Sequence, residues 1–213
     1  MLQIMNKGAM PYIQNHVNWC WATAAKIIGV QYCCRNHIRP HLSALLGASV
    51  IRGDQTGLRP QVCGESGGRL TVDAVQLAIV EHAKDLDYNP EGNLPENDEG
   101  KARALRYIIT GDPDSYSPEI VICGHYRASQ DMLSTSANQI REAMERGNCF
   151  IGNYRRQNGL FHSVVLCPNP EFQIELYDPW DGYKAQYTLT QMFRSGFLSN
   201  MGPGVIQWIQ YIR

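Results

Sequence analysis

The sequence predicts an α+β protein, and three observations carry that reading. Apolar residues of the first half recur at three- and four-residue steps, the signature of helices. In the second half they gather into short runs of aromatic and β-branched residues, as strands do. The composition, 44% hydrophobic and 18% charged, suits a chain with a sizeable core. At 213 residues, one domain or two small lobes sharing a cleft are expected.

The elements follow in chain order. Trp21–Val30 predicts a short buried helix ending near Gly29, because Ala22, Ala25 and Ile28, with Ala24 and Ile27, share helical spacing. His37–Ala48 can hold another helix, started or interrupted near Pro40. Thr71–Ala83 predicts a helix with Thr71 as cap, Asp73 in the first turn and Val72, Val75, Leu77, Ile79 and Val80 as its apolar set. Lys84–Ser117 is rich in Asp, Glu, Asn, Pro and Gly and reads as a surface excursion between two lobes, with one helix-like patch at Lys101–Ile109. Strands are expected at Ile120–Cys123, Phe150–Tyr154, Phe161–Cys167, Phe172–Asp178, Tyr183–Leu189 and Val205–Ile212. One helix intervenes, Ser136–Arg146, capped by Ser134 or Ser136 and followed by Gly147. There is no internal repeat and no low-complexity tract.

Charge and cysteine usage narrow the function classes. Nineteen Lys and Arg oppose 20 Asp and Glu, so no strong field is available to hold nucleic acid or an anionic membrane. No stretch approaches the ~20 apolar residues of a membrane span. Met1–Met10 lacks the apolar core of a secretory signal, so the protein is expected to be cytosolic where it is made, or exported by a route needing no such signal. Seven Cys cannot all pair within one chain, and in a reducing cytosol most would be thiols.

Gln14-Asn-His-Val-Asn-Trp-Cys20-Trp-Ala is the most informative segment. Cys20 lies where a loop runs into a helix, and the partial positive charge of a helix N-terminus favours the nucleophilic thiolate. Gln14 stands six residues earlier, and its amide can donate to an oxyanion, as can the Cys20 backbone N–H. An isolated Cys between two tryptophans would ordinarily be a small packed hydrophobe. The neighbours argue otherwise here.

Gln14-x5-Cys20-Trp21-Ala22 resembles the active-site segment of papain-like cysteine peptidases. His162 follows 142 residues downstream, in the strand-like Phe161-His162-Ser-Val-Val-Leu, as the family's His does. Tyr177-Asp178-Pro179-Trp180 comes 16 residues later; Asp178 stands where papain has Asn, and Trp180 matches the family's Trp. Asp in this role resembles the bacterial branches of the clan that remove leader peptides or act as effectors and toxins. Cys63-Gly-Glu-Ser-Gly67-Gly68 resembles the family's Cys-x-Gly-Gly segment, whose glycine backbone lies along the substrate cleft. The departures are Val17 in place of a disulfide-forming Cys, Trp19 in place of a small residue and Phe161 in place of a polar one. Only 19 residues precede Cys20, too few for the family's inhibitory prosegment, so control is expected from elsewhere.

The resemblance implies a single papain-like catalytic domain over 1–213, with a mainly helical lobe to residue 117, a β-rich lobe from 118 and the active-site cleft between them. It implies a cysteine endopeptidase of restricted substrate choice, with Cys20 as nucleophile, His162 as its acid–base partner, Asp178 orienting the imidazole and Gln14 in the oxyanion hole. Trp19, Gly67, Gly68 and Trp180 are candidates to line the substrate cleft. A leader-processing enzyme would often cut after Gly-Gly, and a toxin would imply a cognate inhibitor protein. The same triad also runs deamidation, transglutamination and acyl transfer, and a third class is a binding module with a dead site. No metal, cofactor, nucleic-acid partner or membrane is called for.

Other signals rank lower. Gly64-Glu-Ser66-Gly67-Gly68 matches a serine-hydrolase elbow but lacks the strand that must precede it. Cys33, Cys34, His37 and His41 have ligand spacing, yet Pro40 disturbs the helix that would align them. Cys33 or Cys34 can instead bridge to Cys63 in an oxidising compartment. Cys123, Cys149 and Cys167 read as core residues of apolar strands. His16 reads as a cleft residue, and Arg155 and Arg156 as leading into a solvated turn at Asn158-Gly159.

Overall fold

A computed structural model describes residues 13, 14, 18–41, 49–52, 70–83, 99–124, 136–169, 173–199 and 201–213. It is mixed helix and antiparallel sheet, as the sequence predicts.

Three helices come first in the chain: α1 (Cys20–Arg35), α2 (Ala74–Ala83) and α3 (Glu99–Thr110). Helix α1 is buried continuously from Cys20 to Val30, because it lies between the other helices and the sheet. The small residues Ala22, Ala24, Ala25 and Gly29 are what let neighbours come this close. Gly29 is no C-terminal stop, contrary to expectation. A Cβ there would sit 2.9 Å from Ile108 Cγ2 of α3, so this glycine serves helix contact, and α1 runs on to Arg35. The chain then turns through His37, which takes the left-handed conformation at φ 55°.

Two further expectations need correction. Thr71–Asp73 does not open a helix. It belongs to strand β2 (Leu70–Asp73), paired antiparallel with β1 (Ser49–Arg52), and α2 begins only at Ala74. The β-branched Thr71 and Val72 suit the strand, and the pairing overrides the apparent cap. Nor is 84–117 wholly a surface excursion. Helix α3 buries Ala102, Ala104, Leu105, Ile108 and Ile109 against α1 and α2, as its three- and four-residue apolar spacing requires. Residues 84–98 and 42–48 lie outside the described residues.

The second half builds a six-stranded antiparallel sheet in the order β3 (Ile120–Gly124), β10 (Ile206–Ile212), β4 (Phe150–Arg155), β5 (Phe161–Pro168), β6 (Ile174–Tyr177) and β7 (Lys184–Tyr187). One face packs on the helices through Ile151, Val165, Tyr177 and Ile212. The other packs on α4 (Ala137–Glu145), a π-helical turn at Gln191–Ser195, and Phe197 of the hairpin β8 (Phe197–Ser199) and β9 (Gly202–Gly204). Alternating side chains along β4 and β5 serve the two cores in turn, as the pleat dictates.

The β4–β5 turn falls where expected. Gly159 adopts φ 84°, Gly159 N–H donates to Arg156 O, and Asn158 Oδ1 accepts from the Leu160 amide. This turn sets the register, with Phe150 opposite Leu166 and Tyr154 opposite His162. Continuing it one step places Cys149 opposite Cys167, and the two form a disulfide with Cα atoms 4.3 Å apart. The expectation of core residues holds for the burial of both, and the sequence does not announce the bond between them. Eighteen residues of separation hide a pairing that only the strand register reveals. Cys20, Cys33, Cys34 and Cys123 carry free thiols.

Candidate active site

The site assembles where α1 begins and β5 begins. Trp19 ends the preceding loop and its carbonyl accepts from both the backbone N–H and the hydroxyl of Thr23, each at 3.0 Å. Cys20 is therefore the first residue of a well-anchored helix, where backbone amides have no intrahelical partner and the helix dipole is positive.

His162 is the second residue of β5 and is 2% exposed. Its Nε2 lies 2.7 Å from Asp178 Oδ1. Asp178 follows β6 directly, and the β5–β6 register puts it across from Val164, on the His162 side of the sheet. The aspartate is completely buried and is fixed by its turn: its amide donates to Tyr183 O, its carbonyl accepts from Gly182, and Oδ1 also accepts from the Trp180 amide at 2.9 Å. With Nε2 committed to Asp178, Nδ1 is the nitrogen left for the hydrogen bond that links His162 to the Cys20 thiol.

The electrostatics single out this cysteine. Burial pushes Cys33 and Cys123 up to about 11. Cys20 is buried as well, and burial is the largest influence on it. The His162 imidazolium, the hydrogen bond from that ring, the Ser163 backbone N–H and the Lys101 charge together outweigh burial and bring the thiol down to about 7. Burial likewise disfavours the charged imidazole, but the Cys20 thiolate and Asp178 raise His162 to about 9. Between these values the pair is thiolate and imidazolium.

Gln14 is 1% exposed, and its backbone N–H donates to Pro179 O at 2.8 Å. This places it against the segment that carries Asp178 and Trp180. Gln76 at the start of α2 holds the preceding Ile13 carbonyl at 3.0 Å. The four catalytic candidates thus come from widely separated positions to one end of the sheet. Trp180 is half-buried beside Asp178. Trp19 is 4% exposed and packs in the helical core, so it has almost no surface to offer a substrate. Gly67 and Gly68, together with Cys63, Ser66 and His16, lie outside the described residues.

Sequence reasoning missed several residues at the site. Tyr154 stands opposite His162 and meets its ring edge-on at 5.7 Å, with its hydroxyl bonded to Ser199 Oγ at 2.7 Å. Pairing outward from the Asn158-Gly159 turn would have found it. Ser163, whose amide reaches Cys20, is itself held by Asn153: Ser163 Oγ donates to Asn153 Oδ1 at 2.8 Å, and Asn153 Nδ2 donates to Trp208 O at 3.5 Å. Nothing in the local sequence announces that chain.

Among the described residues, no cluster of three or more His, Cys, Asp or Glu is placed to hold a metal. Cys33 faces the core whereas Cys34 and His37 are exposed, so the spaced cysteines and histidines do not converge. Among the described residues, no helix is long and apolar enough to cross a membrane. No protein-family model, curated protein or solved structure matches the chain.

Proposed function

We propose that this protein is a cysteine endopeptidase of papain-like kind, with the cleft between a helical and a β-rich lobe. One observation carries the reading: Cys20 at a helix N-terminus, linked to His162, which is bonded at 2.7 Å to the buried Asp178. The opposed displacements of the thiol and the imidazole are what nucleophilic catalysis near neutral pH requires.

In this mechanism Cys20 Sγ attacks the scissile carbonyl carbon. The carbonyl electrons move onto oxygen, where the Gln14 amide and the Cys20 N–H stabilise them. The tetrahedral intermediate collapses, the C–N bond breaks, and the His162 imidazolium gives its proton to the leaving amine. Water, deprotonated by the neutral His162, then hydrolyses the thioester, and the second product leaves as a carboxylic acid. Asp178 holds the ring in one orientation throughout and stabilises its charged form. The lack of an excess charge on the chain favours protein or peptide substrates over nucleic acid.

The test is terminal-labelling proteomics on a lysate treated with the wild type or with Cys20→Ala. New N-termini that require Cys20 are the expected result, and their aligned sequences define the cut site. No new termini, with a Cys20-dependent +1 Da or larger adduct on substrates instead, would replace proteolysis by deamidation or acyl transfer. Neither change, with Cys20 no more reactive than the other thiols, would leave a binding module.

A further inference from the structure

The triad fixes His162 at its two nitrogens, and a separate set of contacts fixes the flank of the ring. The β4–β5 register sets Tyr154 directly opposite His162, so both side chains leave the same face of the sheet. Tyr154 is fully buried, and its ring stands perpendicular to the imidazole with the centroids 5.7 Å apart. The phenol is held in turn by the β8–β9 hairpin. Phe197 of β8 meets the Tyr154 ring edge-on at 5.0 Å, and a Cβ on Gly204 of β9 would overlap that ring. Ser199 Oγ lies 2.7 Å from the Tyr154 hydroxyl, donates to Gly202 O at 3.2 Å and accepts from the Met201 amide at 3.1 Å. Ser199 has one hydroxyl proton, which is spent on Gly202, so Tyr154 is the donor to Ser199. Burial raises the phenol above its ordinary value, so Tyr154 stays neutral and acts by shape rather than by charge.

We propose that Tyr154 is a positioning residue of the active site: clamped by the β8–β9 hairpin, its ring keeps the His162 imidazole aligned between Cys20 and Asp178. This rests on Cys20 and His162 being the catalytic pair. The need arises from the reaction itself. In the resting site the imidazole has two anchors, the Asp178 carboxylate on Nε2 and the sulfur on Nδ1. Once the sulfur carries the acyl group it is no longer an anion, and a thioester sulfur is a weak acceptor. The bond to Asp178 is then left as a pivot about which the ring can rock. An aromatic ring packed against the flank of the imidazole does not depend on the stage of the reaction. Tyr154 thus keeps Nδ1 facing the acyl carbon, where the attacking water gives up its proton.

The measurement is the pH midpoint of Cys20 alkylation, followed at that residue by mass spectrometry, for wild type, Tyr154→Leu, Tyr154→Phe, Ser199→Ala, Phe150→Leu and His162→Ala. A ring free to rock spends less time on the sulfur, so the thiolate is less favoured and the midpoint rises. Aromatic pairs of this geometry carry a preference on the order of two- to tenfold, so Tyr154→Leu should raise the midpoint by about 0.3–1 pH unit. Tyr154→Phe and Ser199→Ala break the same hydroxyl bond and should each give a smaller rise of similar size. Phe150 is buried on the same face of the same strand but stands opposite Leu166, so its variant reports general loosening of this core. Phe150→Leu should lower the melting temperature and leave the midpoint in place. A folded Tyr154→Leu protein with the wild-type midpoint, or a Phe150→Leu midpoint that rises as far, overturns the inference; with His162→Ala still shifted, the triad stands. If Tyr154→Leu does not fold, unmoved midpoints in both Tyr154→Phe and Ser199→Ala overturn it instead. If His162→Ala is also unmoved, the catalytic pair and this inference fall together.

Discussion

Replacing His162 by alanine probes the central electrostatic claim. The structure puts the Cys20 thiol at about 7 against an ordinary value of 9.0. At pH 6 a thiol of pKa 7 is roughly 10% ionised and one of pKa 9 roughly 0.1%, a difference of about 100-fold or ~3 kcal/mol. Part of this is offset, because a thiolate of lower pKa is a weaker nucleophile. With a Brønsted coefficient of ~0.4–0.5, two pKa units cost about eightfold in intrinsic reactivity. The net expectation is that His162→Ala slows the reaction of Cys20 with a small disulfide reagent about tenfold at pH 6. In the variant, burial still raises the thiol, while the Ser163 N–H still lowers it. The assay is the rate at Cys20 itself, separated by mass spectrometry from the other thiols, across pH 5–10. A folded His162→Ala protein whose Cys20 still titrates near 7 would refute the reasoning.

Other outcomes follow from the same structure. The pH profile of kcat/KM should be a bell with limbs near 7 and 9, belonging to the Cys20–His162 pair as a whole; a single limb would show that the ion pair is not the active form. Stability should respond in opposed directions over that window. The lowered Cys20 value adds stability as pH rises from 7 to 9, and the raised His162 value removes it between 6.5 and 9, so the pair contributes little net slope. Breaking the pair with Cys20→Ala should lower the His162 titration seen by NMR, and a ring still titrating at about 9 would sink the coupling. Asp178→Ala should reduce turnover on the order of 10²–10⁴-fold, with Asp178→Asn milder because Oδ1 can still accept from Nε2; equal losses would mean that charge, rather than orientation, is what Asp178 supplies. In the fold, Gly29→Val should destabilise by about 1–3 kcal/mol, measured by denaturant unfolding, because its side chain must displace Ile108.

The strands of the six-stranded sheet and the α4 helix were legible because their periodicity is local, whereas β1, β2, β8 and β9 were not expected. The β5 expectation of Phe161–Cys167 ends one residue short of the observed Phe161–Pro168, and Ser136–Arg146 contains the observed Ala137–Glu145. The errors sit where a distant partner decides. Gly29 looks like a stop in one dimension and is a contact in three. Thr71 looks like a cap until β1 pairs with its strand. Helix α3 was legible as the patch at Lys101–Ile109, but the polar residues around it suggested a surface position, whereas most of it is buried against α1 and α2.

At the site, the sequence by itself determined the chemical types and their order. A Cys opening a helix, a His opening a strand and an Asp closing the next are each placed by local patterning. The tertiary structure decided which atoms meet: Nε2 on Asp178, the Ser163 amide toward the sulfur, Lys101 on Trp208, and Cys149 on Cys167. The reason is physical. Helix starts and strand pleats are set by neighbours a few residues away. A thiol that titrates near 7 needs the imidazole and a backbone amide of β5 beside it, and the carboxylate of the turn after β6 behind that ring, and only the packing of helices on the sheet puts them there.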